Sequence, residues 1–163
     1  MEDYYKMKKN LDKNQLRFDY NVIIKRINNK TGQILDEEKI HNTIVNNGLN
    51  LVRDFLGDVA PDVPKYIAIG TDNTAVQNTD TALGTEYTRS VASGIDVATD
   101  YQVEFTKIFT FGSGVSETIV EAGLFDNATA SGSTMLNRFV FSGKAVDSDT
   151  DLSVTITLTI ARS

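Results

Sequence analysis

The chain has 163 residues and a formal net charge of −6, with 40% hydrophobic and 23% charged residues, as in an ordinary globular domain. It has no cysteine and one histidine, which excludes disulfides, thiol nucleophiles, thiolate metal sites and any site that needs two histidines. No apolar stretch approaches the roughly 18 residues that cross a bilayer, and the polar start MEDYYKMKKN predicts no secretory signal.

The N-terminal segment is basic, although the chain as a whole is acidic. Residues 1–26 carry seven Lys and Arg against four Asp and Glu. Residues 1–17 show no clean hydrophobic period, so we interpret them as an arm that precedes a single domain over residues 18–163. We expect the arm to contact an acidic neighbouring subunit, with a solvated tail as the alternative; its basic residues are Lys6, Lys8, Lys9, Lys13 and Arg17. Because an acidic chain repels phosphates, we expect no nucleic-acid partner.

The first two predicted strands form a hairpin over residues 18–40. Residues 18–28 (FDYNVIIKRIN) are rich in aromatic and β-branched side chains, and residues 33–40 return as a second strand. Gly32 lies in the turn between them and is free to adopt a positive φ.

Residues 42–56 predict a helix, because their apolar side chains recur at helical spacing; these are Ile44, Val45, Leu49, Val52, Phe55 and Leu56. Asn42 or Thr43 would cap its start, and Gly57 would end it in the left-handed conformation. Gly48 in its interior costs about 1 kcal/mol relative to alanine.

The remainder, residues 65–163, predicts an antiparallel β-sandwich or small barrel. Strands are expected at 65–70, 87–95, 101–111, 117–125, 134–142 and 152–160, with a polar loop at 71–82 and a connection at 143–151. The last run, LSVTITLTI, alternates apolar and hydroxyl residues without an error, which is typical of a strand with one buried face. In residues 101–111 we expect one buried face, made of Tyr101, Val103, Phe105, Phe109 and Phe111. The fold class is therefore α+β, mainly β.

We predict no catalytic, cofactor-binding or metal-binding residue in this sequence. His41 has no nucleophile or acid beside it, so we interpret it as a capping or surface residue. The acidic run at 147–151 (DSDTD) resembles the start of a calcium loop, but leucines occupy the positions that need glycine and glutamate. Gly70 and the glycines of 112–114 are interpreted as turn residues, because neither opens a helix after a parallel strand.

Three short motifs resemble the N-terminal, particle-attaching module of tail-collar fibre proteins of tailed bacteriophages. An IxxG, a TxLxxExxR and an ExGLFD element recur there in this order, and they fall here on residues 67–70, 81–89 and 121–126. The resemblance covers about residues 40–160 and includes the preceding segment IHNTIVNNGLNLVRDFL.

The motif residues also have structural interpretations of their own. Gly123 allows the backbone to bulge or to approach another chain closely, and Phe125 would anchor a neighbouring layer. Glu121 is expected to accept hydrogen bonds from the turn near residues 85–89 and to pair with Arg89. Since Glu86 and Arg89 would point to opposite faces of a regular strand, we expect them to make separate contacts.

The resemblance implies a non-enzymatic structural protein of the virion, assembled in the host cytoplasm as a homo-oligomer among other virion proteins. It favours a tail or baseplate adaptor or a fibre-attachment protein, without cofactor, membrane or small-molecule substrate. A capsid decoration (cement) or head-fibre protein is the first alternative, since these 163 residues include no shaft. The second is a carbohydrate-binding or carbohydrate-active domain, in which two carboxylates would face a cleft.

Overall fold

Two antiparallel sheets face each other and enclose the main hydrophobic core. The computed structural model describes residues 16–42, 44–59, 62–97 and 101–162. The described residues form one helix, α1 (Asn46–Leu56), and nine strands: β1 (Leu16–Asn28), β2 (Ile34–Asn42), β3 (Tyr66–Gly70), β4 (Glu86–Val91), β5 (Gly94–Asp96), β6 (Gln102–Phe109), β7 (Ser116–Phe125), β8 (Met135–Asp147) and β9 (Thr150–Arg162). The strand order is β2-β1-β9-β6-β5 in the five-stranded sheet and β4-β3-β7-β8 in the four-stranded sheet. The predicted α+β, mainly β fold is confirmed, and of its two architectures the structure has the sandwich.

The five-stranded sheet is built on the long antiparallel pair of β1 and β9. Val22 lies opposite Ile156 and Ile24 opposite Val154, and all four side chains are buried in the core. The hydroxyl residues between them, such as Thr155, face outward. The predicted alternation of the last strand is confirmed, and so is the predicted hairpin, because β1 pairs with β2 and Gly32 in its turn has φ 72°.

The four-stranded sheet is buried on both of its faces around β3 and the second half of β7. Ile67 and Ile69 of β3 point into the main core, whereas Ala68 between them packs in a second cluster on the outer face. This second cluster also contains Val45, Leu83, Phe125 and Met135. The long loop 71–85 between β3 and β4 supplies Leu83, so the loop covers part of the outer face.

The helix starts four residues later than predicted, with Val45 at its N-terminal cap position, and Gly57 is its C-cap as predicted but without the left-handed conformation. Asn42 belongs to β2 and lies opposite Tyr20, and Thr43 lies outside the described residues. Val45 precedes the helix with an extended backbone and no side-chain cap. At the other end Gly57 has φ −86°, and it is Asp58 that adopts a left-handed φ of 52°.

The interior glycine of α1 lies against the neighbouring strand β8. A Cβ added to Gly48 would overlap the backbone carbonyl oxygen of Leu136 and would come within 2.7 Å of a side-chain carbon of Ile44. Glycine therefore lowers the helix propensity here but allows α1 to approach the sheet closely.

Three predicted β segments differ from the structure. Residues 87–95 divide into β4 and β5, which belong to different sheets. Residues 143–147 continue β8, and only Ser148 and Asp149 form the turn to β9. Tyr101 was expected in the core but is 76% exposed and has φ 66°, because it precedes β6 and its alternation.

Replacing Gly48 with alanine tests whether helix propensity or close packing decides stability at this position. Propensity alone would make the G48A variant more stable by about 1 kcal/mol. We expect the free energy of unfolding to fall instead by about 1–3 kcal/mol, because the methyl group overlaps the Leu136 carbonyl. Urea denaturation measures the difference. Gly112→Ala is the matched control, since a Cβ there meets no atom within 4 Å, and it should leave stability unchanged or slightly raised.

Candidate functional site

The carboxylate of Glu121 lies at the centre of the outer face of the four-stranded sheet and is fully buried. Its Oε1 accepts hydrogen bonds from the backbone N–H groups of Asp72 (3.2 Å) and Thr85 (2.9 Å). Its Oε2 accepts hydrogen bonds from the backbone N–H of Gly84 (3.0 Å) and from Nε of Arg138 (2.8 Å). One side chain of β7 thus holds both ends of the loop 71–85, and the expected hydrogen bond from the turn near residue 85 is confirmed.

Arg138 of β8 joins the same carboxylate to the middle of the loop. Its side chain is 3% exposed, and Nη1 donates to Oδ2 of Asp80 at 2.9 Å. Asp80 also accepts a hydrogen bond from the backbone N–H of Gln77 (3.0 Å). Burial opposes the charged guanidinium, but the hydrogen bonds to Asp80 and Glu121 outweigh it and raise the pKa of Arg138. The cation therefore stays charged beneath the loop.

The glycines of the first two motifs provide the space that this network occupies. Gly70 lies opposite Glu121 in the sheet, where a Cβ would come within 2.5 Å of Oε1 and would overlap the carbonyl oxygen of Thr85. A Cβ on Gly84 would overlap the carboxylate of Asp72. Our prediction that Gly70 is a simple turn residue is therefore wrong. Gly70 lies where the backbone of the strand passes a buried carboxylate.

The third motif places a glycine and an aromatic ring on the same face. Gly123 lies opposite Arg138, and a Cβ there would come within 2.8 Å of the carbonyl oxygen of Asn137. The close approach seen here is to the neighbouring strand β8 of the same chain, and the predicted approach to another chain stays a prediction. Phe125, two residues further along β7, is fully buried in the second cluster, as an anchoring residue would be.

A second ion pair lies beside this ring. Arg89 of β4 has its guanidinium carbon 3.8 Å from the centre of the Phe125 ring, a distance at which a cation–π interaction is favourable. Its Nε and Nη2 donate to the carboxylate of Glu86 at 3.1 and 2.7 Å. Nη1 donates to the carbonyl oxygen of Asn127 and to Oγ of Ser133, both at 2.9 Å. Arg89 thus joins β4 to the loop after β7.

Two of our predicted pairings are wrong. Glu121 pairs with Arg138 rather than with Arg89, and Arg89 pairs with Glu86 instead of making a separate contact. The second of these errors has its cause in a bulge between β3 and β4, where Gly70 lies opposite Glu86 but Ile69 lies opposite Thr88. One extra residue in β4 inverts the alternation, so that residues 86 and 89 reach the same face.

Arg138, Asp80 and Gly84 belong to this site but were not predicted from the sequence. A signal for Arg138 was present, since the arginine interrupts the apolar run MLNRFVF in a predicted strand and a buried arginine needs a partner. Asp80 gave no such signal, because it lies in a loop that is polar throughout.

Another charged cluster connects the two sheets along one side of the sandwich. Nζ of Lys144 in β8 lies 3.0 Å from the Asp36 carboxylate and 2.8 Å from the Glu38 carboxylate, both in β2. Partial burial opposes ionisation of the two acids, but hydrogen bonds from Arg26 and Lys144 to Asp36, and from Lys144 and Ser142 to Glu38, lower the pKa of each. The cluster therefore favours a protonated lysine and two ionised carboxylates.

The same lysine lies 3.0 Å from the hydroxyl oxygen of Ser142, and a serine–lysine pair can act as nucleophile and base. That chemistry needs a neutral lysine, which accepts the hydroxyl proton. Burial disfavours the charge on Lys144, but the hydrogen bonds to Glu38 and Asp36 outweigh this effect and raise its pKa. The geometry therefore suits a structural ion cluster and opposes activation of the serine.

The remaining candidate residues make separate, local contacts. His41 lies in β2 and is exposed, so it does not cap the helix. In the acidic run, Oδ1 of Asp147 accepts hydrogen bonds from the Asp149 backbone N–H (2.9 Å) and the Thr150 hydroxyl (2.8 Å). Nowhere in the described ranges do three His, Cys, Asp or Glu side chains lie where they could hold a metal ion together.

Most of the predicted arm lies outside the described residues, including Lys6, Lys8, Lys9 and Lys13. The assignment of Arg17 to the arm is wrong, because β1 begins at Leu16 and Arg17 lies opposite Ala161 of β9. The Arg17 guanidinium donates to the Asp19 carboxylate of the same strand.

Comparisons of the chain with protein-family models, with curated protein sequences and with solved structures found no match. In the part of the chain that the structure describes, no helix combines the length and the apolar character needed to span a membrane. The roles of the residues above therefore rest on their geometry.

Replacing Glu121 with glutamine tests whether the loop depends on the carboxylate. The E121Q side chain keeps its size but turns an NH2 group toward donors, so we expect a loss of about 3–5 kcal/mol in the free energy of unfolding. Urea denaturation gives this value. Glu37→Gln removes a partly exposed carboxylate paired with Lys25 and should have a much smaller effect, because water screens this pair. Equal losses in the two variants would contradict a central role for Glu121.

Replacing Lys144 with methionine should lower the stability of the fold by an amount that depends on pH. Because the pKa values of Asp36 and Glu38 are lowered in the folded protein, the unfolded chain binds more protons near their ordinary pKa values, and the ion cluster stabilises the fold above that range. We expect K144M to be less stable than the parent at pH 7, with the difference shrinking as the pH falls through about 4.

Urea denaturation of both proteins at a series of pH values measures this difference. The raised pKa of Lys144 sets the opposite limit, so its contribution is present below the lysine's ordinary pKa and is lost as the pH rises through the raised value. Lys39→Met is the matched control, since this lysine is 69% exposed and its removal should have a small effect. A K144M difference that stays constant from pH 7 to pH 3 would contradict the assignment.

Proposed function

We propose that the protein is a non-enzymatic structural component of a tailed-bacteriophage particle, acting as a tail or baseplate adaptor or fibre-attachment protein. The observation that supports it most is the convergence of the three motifs on one buried site. Gly70, Gly84 and Glu121 come from the three motif segments and meet around a single carboxylate. Motif residues that maintain the fold are expected in a module whose role is structural.

The state of the buried charges supports a structural role over a catalytic one. A general acid or base must reach a substrate and exchange a proton with it. Glu121 is fully buried with four donors around it, and Arg138 is held by two carboxylates. These charged groups stabilise the fold through contacts within the chain, and the same holds for Lys144, which joins β8 to β2.

The proposed partners are copies of the chain and other virion proteins. β4 is an outer strand of the four-stranded sheet, and its Tyr87 and Val91 side chains are substantially exposed. An exposed apolar edge favours association with a further chain. The basic residues Lys6, Lys8, Lys9 and Lys13 would add a contact to an acidic neighbour, which the net charge of −6 provides.

Quantitative mass spectrometry of purified particles, made by the phage that encodes this chain, tests the proposal. We expect the chain to be present at tail copy number, below about one per twenty major capsid subunits, because tail assemblies have low cyclic symmetry. The matched control is the same measurement on tails that have been separated from heads, which should retain the chain.

Three other outcomes would contradict the proposal or part of it. A ratio near one to one would overturn the tail location in favour of capsid decoration. Absence from washed particles would overturn the virion assignment altogether. Saccharide hydrolysis by the purified protein, lost when a pair of exposed carboxylates is replaced, would establish the enzymatic alternative.

A further inference from the structure

An apolar groove opens at the end of the sandwich where β1 begins. It is lined by Leu51 and Phe55 of α1 together with residues of three strands, namely Phe18 of β1, Val103 of β6 and Ile160 of β9. Its volume is about 460 Å³, and every residue that lines it is hydrophobic. This volume falls in the range of pockets that bind ligands, about 300–1,000 Å³.

The groove leaves large apolar side chains in water. Leu56 at the end of α1 is 81% exposed, and Val97 after β5 is 74% exposed. Phe55, which also lines the groove, is half exposed. A contiguous exposed apolar patch of this kind is typical of a surface that another segment covers.

The position of the N-terminal segment identifies the occupant. Residues 1–15 lie outside the described part of the chain and connect to Leu16, only two residues before Phe18 of the groove wall. Fifteen residues span at most about 50 Å when extended, so the segment can reach this groove or that of an adjacent copy. It carries apolar side chains to place there, which are Tyr4, Tyr5, Met7 and Leu11.

The segment carries four lysines against Glu2, Asp3 and Asp12, and its lysines are opposite in charge to the carboxylates near the groove. Lysines surround the apolar residues of the segment, at positions 6, 8, 9 and 13. Exposed carboxylates lie close in sequence to the groove lining, namely Asp58 after α1, Asp62 before Val63, and Asp96 between Ile95 and Val97. Opposite charges around an apolar contact favour association and fix its orientation.

We propose that the apolar groove binds residues 1–15 of this chain. Apolar side chains of the segment would fill the groove, while its lysines would lie near Asp58, Asp62 and Asp96. This inference deepens the contact between copies proposed above and rests on it, because it names the surface that receives the arm.

Hydrogen–deuterium exchange of the full chain tests the inference. We expect the amides of residues 1–15 to exchange at least about tenfold more slowly than in a synthetic peptide of the same sequence. The L56E variant introduces a charge at the groove while changing a side chain that is already exposed, so it should abolish the slowing. Ile108→Glu is the matched control, since Ile108 is also exposed but lies outside the groove lining. Circular dichroism confirms that both variants fold.

Dilution then identifies whose groove is occupied. Slowing that increases with protein concentration supports exchange of the segment between copies, as the proposed function requires. Slowing that persists in a monomer keeps the groove as the binding site but removes the segment's role in assembly. The particle measurement fails or succeeds independently of both results.

Two results would overturn the inference. The first is exchange of residues 1–15 at the peptide rate in the parent protein, with or without protection of the Phe55 and Val97 amides. Protection of those two amides alone would indicate that a second copy covers the groove with its own body. The second is slowing that survives L56E, which would place the segment elsewhere.

Discussion

The interaction on which the four-stranded sheet depends is the burial of the Glu121 carboxylate under the loop 71–85. A carboxylate taken out of water without partners loses several kcal/mol of solvation free energy, even after the protein relaxes. Four hydrogen bonds offset this loss, and three of their donors are backbone N–H groups of residues 72, 84 and 85. The buried charge therefore stabilises one conformation of the loop, because that conformation places the three backbone N–H groups at the carboxylate.

This coupling explains why β3 and the second half of β7 are buried on both faces, although the five-stranded sheet covers only the inner one. Strands covered on both sides are apolar along their length instead of alternating, and β3 (YIAIG) has this character. Its inner residues, Ile67 and Ile69, pack against the five-stranded sheet, and Ala68 packs outward. The loop and the start of α1 form a thin third layer, with Leu83 and Val45 as its apolar contacts.

The parts of this fold that follow from local pattern could be predicted, whereas those set by tertiary pairing could not. The alternation of the last strand is a property of consecutive residues, and Val154 and Ile156 are buried as expected. The start of the helix depends on Asn42 lying opposite Tyr20, which the helical spacing does not reveal. The pairing of Arg89 with Glu86 depends on the bulge opposite Ile69. A one-residue bulge leaves no trace in hydrophobic periodicity, yet it decides which side chains share a face.

The buried charged groups stabilise the fold, whereas the exposed apolar groups offer a surface for association. In the described part of the chain, the buried cations Arg138 and Lys144 each contact two carboxylates, which tie a loop to a sheet or one sheet to the other. The large apolar groove at the start of β1 offers no polar group with which to position a reacting atom, but it offers exposed hydrophobic area, which drives association without directional chemistry. A body fixed by internal ion pairs, with exposed apolar area at the end where residues 1–15 join it, has the properties needed to be held by its neighbours, and this supports the assembly role proposed above.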